Sequence, residues 1–164
     1  MAYEIERKFL VRDDSWREQA GLGRGLRQAY LAYDGAVSVR VRIIDGTSAT
    51  LTLKSNEMTL RRQEFEYDVP LPDAEELLAL RRGSVVEKIR FKVPSGALTW
   101  EIDVFSGDNL GLVIAEIELP DEEQRFERPA WLGDEITGDA RYYNASLAAH
   151  PYCRWRDDAA RSLV

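Results

Sequence analysis

Carboxylates and basic side chains recur at alternate positions along this chain, and the alternation keeps like with like. Glu4 and Glu6 precede Lys8 at the same spacing, and Glu64, Glu66 and Asp68, Glu101 with Asp103, and Glu116 with Glu118 form further acidic series. The basic counterparts are Arg40 with Arg42, Lys54, and the run Lys88, Arg90 and Lys92. In a β-strand, residues two apart project from the same face about 7 Å from one another, so each series presents one sign of charge to one side. Arginine and lysine bind phosphoryl oxygens, arginine bidentately, and carboxylate pairs hold hard divalent cations. A polyanion accompanied by magnesium or manganese satisfies both clusters at once.

An amphipathic antiparallel sheet with one solvated face would account for the alternation alone. It does not account for the sorting by sign, acid beside acid in four strands and base beside base in two, because facing like charges repel. The clusters therefore point to a ligand. One histidine, His150, and one cysteine, Cys153, exclude the usual zinc sites and leave little room for Cys/His or Ser/His/Asp nucleophilic chemistry. Any metal falls to carboxylates, which favour Mg2+ or Mn2+.

The elements that position these groups are mostly strands. Period-two patterns predict them over about 2–11, 26–33, 36–44, 48–55, 60–69, 86–93, 97–105 and 111–119. Asp45-Gly46, Pro94-Ser95-Gly96 and Gly107-Asp108-Asn109 mark tight turns, hence antiparallel neighbours. Helices are expected near Ser15–Ala20, from Pro72-Asp73 through Leu80, and from an Asp139 N-cap to Ala149 with Pro151 as the stop. The pattern reads as a β-rich α+β protein, and if the sheet closes with the charged face inward, it is an eight-stranded antiparallel closed β-barrel with a charged lumen, its outward apolar face covered by peripheral helices.

At 164 residues the chain fits one domain spanning 1–164. No secretory leader and no run of about 18 apolar residues is evident, so a soluble, cytoplasmic protein without a membrane partner is expected. A single cysteine permits no intrachain disulfide and reads as a free thiol. The net charge of −7 argues against nucleic acid as a partner; whether the protein is a homodimer is left open.

The motifs in order are EIERK at Glu4–Lys8, RQAYL at Arg27–Leu31, Arg40 with Arg42, LTLK ending at Lys54, EFEY at Glu64–Tyr67, EKIRF at Glu87–Phe91, WEIDVF at Trp100–Phe105 and AEIEL at Ala115–Leu119. They resemble the CYTH superfamily, or triphosphate tunnel metalloenzymes, over nearly the whole chain. Glu135–Ala148 resembles the helix that closes one tunnel end in short bacterial members. The resemblance implies the closed barrel with the charged face inward, and phosphate binding by Lys8, Arg40, Arg42, Lys54, Lys88 and Arg90. It implies metal binding by Glu4, Glu6, Glu116 and Glu118, with Glu64, Glu66, Glu101 and Asp103 as ligands or as partners that orient the bases. Tyr30 matches a proton acceptor of some relatives, against the alternative of a core tyrosine, and Lys88 is a candidate for orienting the attacking water. Lys88, Tyr30 and Glu6 form the implied catalytic group. The reaction implied is hydrolysis of inorganic triphosphate to pyrophosphate and phosphate. The alternatives are a class IV-type adenylyl cyclase or a thiamine triphosphatase, and, ranked lower, a noncatalytic polyphosphate-binding module.

Overall fold

The computed structural model describes residues 3–56 and 60–155. Nine strands make up its sheet: β1 (Tyr3–Val11), β2 (Arg24–Ala32), β3 (Val37–Ile44), β4 (Ser48–Ser55), β5 (Arg61–Val69), β6 (Arg82–Ser95), β7 (Leu98–Ser106), β8 (Val113–Glu118) and β9 (Leu132–Glu135). Strands β1 to β8 run antiparallel in the order β5-β4-β3-β2-β6-β7-β8-β1, and pairing of β1 with β5 closes them into a barrel. Closure removes the free edges that an open sheet of this size would expose.

Two of the predicted turns are tight hairpins, whereas Gly107–Asn109 forms a 3₁₀ turn within the longer connection from β7 to β8. Asp45 and Gly46 both adopt positive φ, 51° and 67°, which is the mirror-image turn that a two-residue hairpin between β3 and β4 requires. The β6–β7 turn sits at Gly96 rather than at Pro94, which stays in the strand opposite Thr99.

Helix α1 (Leu71–Ala79) has Pro72 in its first turn, where a missing N–H costs nothing, and Asp73 beside the positive end of the helix dipole. Ala74 and Leu78, four apart, share the face that packs on Ala29, Val41, Ile43 and Ala49 outside β2, β3 and β4. Burying a side chain such as Leu78 contributes about 2 kcal/mol. The rest of the outer surface is covered differently from expectation. Trp16, on a short 3₁₀ helix at Ser15–Gln19, packs against Phe91. Phe126 and Trp131 lie in the connection between β8 and β9 and meet the ring of Trp100 edge-on, at 5.7 and 5.5 Å between centroids. Phe9 joins them at 5.6 Å, so Trp100 is a packing residue of the outer face, as its parity predicts.

Three boundaries differ from the sequence reading. β6 begins at Arg82 rather than 86, because Arg82 pairs with Tyr30 across a bulge whose extra residues lie in β6. The helix expected over 139–149 is two pieces, a 3₁₀ turn at Ala140–Tyr142 and α2 (Asn144–Ala149). Asp139 caps the first piece, accepting from the Arg141 N–H at 3.2 Å, and Tyr143 in extended backbone separates it from α2. Pro151 follows the end of α2. Strand β9, too short and too polar to show alternation, was not foreseen. It pairs with the end of β1 through Phe9–Glu135 and Val11–Leu132. No helix among the described residues is long and apolar enough to cross a membrane.

Candidate active site

The order of strands around the barrel sorts the charges into two half-walls. The acid-bearing strands β7, β8, β1 and β5 are contiguous, and the base-bearing strands β4, β3 and β6 occupy the other half around β2. Their inward faces meet in a polar cavity of about 320 Å³ lined by seven carboxylates and six basic groups. All the expected site residues line it except Lys88 and Asp103. Lys88 shares the inward face but lies behind the lining, its ammonium fully buried. It donates to Asp103 Oδ2 at 2.6 Å and to Asn144 Oδ1 of α2 at 3.1 Å. Burial, opposed by Asp103 and reinforced by the Arg90 and Arg42 charges, pulls the Lys88 ammonium down to about 7.

Asp103 also receives both arms of Arg90, at 2.7 and 2.8 Å, and Glu101 accepts from the same guanidinium at 3.1 Å. Burial raises Asp103, but Arg90 and Lys88 outweigh it and hold the carboxyl below its usual range. Asp103 and Glu101 thus sit as partners that orient basic groups.

Arg40 and Arg42 are different. Among the described residues neither has a carboxylate partner: Arg40 donates to Thr52 Oγ1 at 3.1 Å and Arg42 to Gln28 Oε1 at 2.8 Å. The Arg40 Nε is buried without an acceptor. Burial and then the Arg40 and Arg90 charges push the Arg42 guanidinium down to about 9. Tyr30 is buried beside this ring, on the same wall of the cavity, and pairs with Arg40 in the β2–β3 register.

The acidic half mirrors this. Glu64, Glu66 and Glu118 have no basic ion-pair partner among the described residues, and burial followed by the charges of Glu64, Glu101 and Glu6 raises Glu118. Glu4 is pushed up to about 8, by burial first and then by Glu6, against the pull of Lys54. Glu6 moves the other way. Burial favours its neutral form, but Lys8, Lys54 and Arg62 at 3.6, 3.6 and 3.3 Å keep it ionised. Lys8 reaches Glu116 at 3.5 Å as well, and these two acids outweigh the burial that would otherwise lower it.

The donor set suits a hard divalent ion in its chemistry, oxygen only and rich in unpaired carboxylate. It is not gathered into a ready cluster: among the described residues no three acids converge closely enough to hold a metal as they stand. Glu4, Glu6 and Glu116 are turned to lysine and arginine instead.

Four functional positions escaped the sequence reading. Arg62 extends from β5 on the inward parity of Glu64 and could have been found by that parity. Gln28, fully buried, positions Arg42. Tyr143 and Asn144 come from the start of α2 to close one end, the Tyr143 ring lying 5.3 Å from the Lys8 ammonium and 5.1 Å from the Arg62 guanidinium.

The CYTH domain family matches residues 2–152. An Acetivibrio thermocellus protein named inorganic triphosphatase is 43% identical over 160 residues, covering 96% of this chain and all of that one. One of the same name from Nitrosomonas europaea is 41% identical over 150 residues, covering 88% and 96%. The crystal structure of the inorganic triphosphatase NE1496 superposes with a TM-score of 0.64 at 35% identity, over 90% of this chain and 95% of that one. A Hippeastrum protein at 15% identity shares the fold, with a TM-score of 0.58 over 73% and 81% of the two chains. A barrel closed by β1 and β5, with its charges sorted by half-wall and a family match spanning residues 2–152, establishes that the chain belongs to the CYTH domain family.

Proposed function

We propose that this chain is a divalent-metal-dependent inorganic triphosphatase, acting on triphosphate with Mg2+ or Mn2+ and releasing pyrophosphate and phosphate, its activity carried by one domain. The observation that carries the reading is the complementary deficit across the cavity. Arg40 and Arg42 lack an anion on one wall, and Glu64, Glu66 and Glu118 lack a cation on the other. A metal triphosphate supplies both. The relatives named inorganic triphosphatase, similar over almost their whole length, support the same reading, and the family is metal-dependent.

Arg40, Arg42, Lys54 and Arg90 would clasp the phosphoryl oxygens, bidentately where guanidinium planes allow. Glu4, Glu6, Glu116 and Glu118 would hold the metal, with Glu64 and Glu66 beside them. A divalent ion held by these carboxylates would supply Lewis acidity, lowering the pKa of an attacking water and drawing charge from the leaving oxygen. Around it the chain contributes position and electrostatics: Asp103 fixes Arg90, Gln28 fixes Arg42, and the basic wall stabilises charge that builds on the equatorial oxygens. Lys88, its ammonium disfavoured by burial, sits too deep to touch substrate without movement of Asn144. Its part is to support the wall through Asp103 and to help orient water only if α2 shifts.

Among the described residues the aromatic rings that line the cavity are Tyr30, buried in the wall, and Tyr143, which lies under two cations, while Trp100 is packed outside, so none offers an open platform for a nucleobase or thiazole. Phosphate release from inorganic triphosphate, ATP and thiamine triphosphate, with cyclic AMP assayed alongside under Mg2+ and Mn2+, tests the reading. Inorganic triphosphate should give the highest kcat/KM; an ATP preference or cyclic AMP as main product overturns it.

A further inference from the structure

Arg62 is a base in the wrong half-wall. It projects from β5, between the carboxylates of β1 on one side and Glu64 and Glu66 further along its own strand, and its guanidinium lies 3.3 Å from Glu6. Arg40 and Arg42 face the cavity with no carboxylate partner, whereas Arg62 is already spent on an acid. Its position is also a boundary. β5 pairs with Tyr3–Ile5 of β1 and β9 takes up the strand again at Phe9, leaving a notch in the wall beside Glu6 and Arg7. A second cavity of about 380 Å³ occupies the notch, lined by Leu60, Glu135 and Thr137. Glu6, Lys8, Arg62 and Tyr143 line both cavities, so Arg62 has room on either side of Glu6.

We propose that Arg62 is an exchangeable internal counter-ion: it holds Glu6 while the tunnel is empty and passes to the triphosphate when this enters, freeing Glu6 for the divalent cation. The inference rests on the triphosphatase reading and adds to it a reason for the metal and the substrate to bind together. An empty lumen with seven carboxylates against six bases is nearly self-neutral, and a cation arriving alone competes with Arg62 and two lysines for Glu6. Triphosphate gives Arg62 and Lys54 a stronger anion, and the carboxylates they leave form the metal site that the empty arrangement lacks. By linkage, each ligand raises the affinity for the other.

Direct bonds between metal and phosphate would also make binding cooperative, so the decisive comparison is made with metal alone. Free Mn2+ is measured by electron paramagnetic resonance during titration into wild type and Arg62→Gln, and affinity for the non-hydrolysable imidotriphosphate is measured calorimetrically without metal. Arg62→Gln should bind Mn2+ alone about tenfold more tightly than wild type and imidotriphosphate about tenfold more weakly. Unchanged or weaker Mn2+ binding by Arg62→Gln, with imidotriphosphate still bound by wild type, overturns the exchange and leaves the triphosphatase reading standing. Failure of wild type to bind imidotriphosphate overturns both. If Arg62→Gln does not fold, a wild-type crystal structure with imidotriphosphate decides: Arg62 should leave Glu6, and an intact Arg62–Glu6 pair refutes the proposal.

Discussion

The Lys88 ammonium and the Asp103 carboxylate meet at 2.6 Å with essentially no exposure on either side, beneath the lining of the cavity. Neither group can find water if the other is removed, and Arg90 leans on the same carboxylate. Asp103→Asn should therefore destabilise the protein by about 3–5 kcal/mol in chelator without substrate, the range for breaking a buried pair from one side. Urea denaturation measures it, and a loss below about 1 kcal/mol would mean that Asn144 and water take over the ammonium.

Arg40→Ala and Glu118→Gln should separate binding from turnover. Arg40 donates only to Thr52, so its loss should weaken triphosphate binding by at least tenfold through the lost charged hydrogen bonds. Glu118→Gln should lower kcat by at least tenfold and leave imidotriphosphate binding largely intact. Neither has an ion-pair partner among the described residues, so the ligand-free melting temperature should stay level or rise. Strong destabilisation by both, with unchanged kinetics, would make the charges structural.

In the empty, metal-free protein, the contribution of Glu4 to stability should fall as pH rises from about 5 to about 8. Glu4 binds its proton more tightly folded than unfolded, at about 8 against 4.5, so its stabilising contribution is complete below 4.5 and is lost as pH passes through 8. Glu4→Gln should flatten this descent and raise the melting temperature at pH 9 by roughly 5 °C. A melting profile in chelator that is parallel for wild type and variant rules out Glu4 as the source.

Gly83, at φ 78°, faces the end of α2 so closely that an added Cβ would lie 2.6 Å from the Ala148 carbonyl oxygen. Gly83→Ala should cost about 1–3 kcal/mol in backbone strain and displace α2. The displacement should appear as faster proteolysis within 140–155 and a weaker grip of Asn144 on Lys88. Unchanged proteolysis would show that β6 yields instead.

The inward-facing set was legible because a strand repeats every two residues, so parity alone names which side Glu116 or Arg42 takes. Parity gives a face but not a depth, which is why Lys88 was grouped with the phosphate ring although it lies behind it. Arg62 was within reach of the same rule, but a base heading an acidic series breaks the pattern that drew attention to Glu64 and Glu66. Gln28 carries no charge, and its role exists only through Arg42 across the β2–β3 register. Tyr143 and Asn144 sit where a 3₁₀ turn gives way to a six-residue helix, too short for a periodic signal. β9 fails for the same reason in strand form, since LGDE has neither alternation nor β-branched residues.

β1 is synthesised before the other eight strands, yet its hydrogen bonds go to β5, β8 and β9, whose pairing residues begin at 61, 114 and 132. These contacts join distant parts of the chain, and those to β8 and β9 span most of it, the arrangement that slows folding because loop closure is paid for before pairing rewards it. The earliest of these nine strands is thus among the last to complete its pairing. Until β5 emerges the Glu4–Lys8 segment has no wall on either side, and until β8 emerges Glu6 to Lys8 still wait for theirs; the charges along the segment keep that waiting edge soluble.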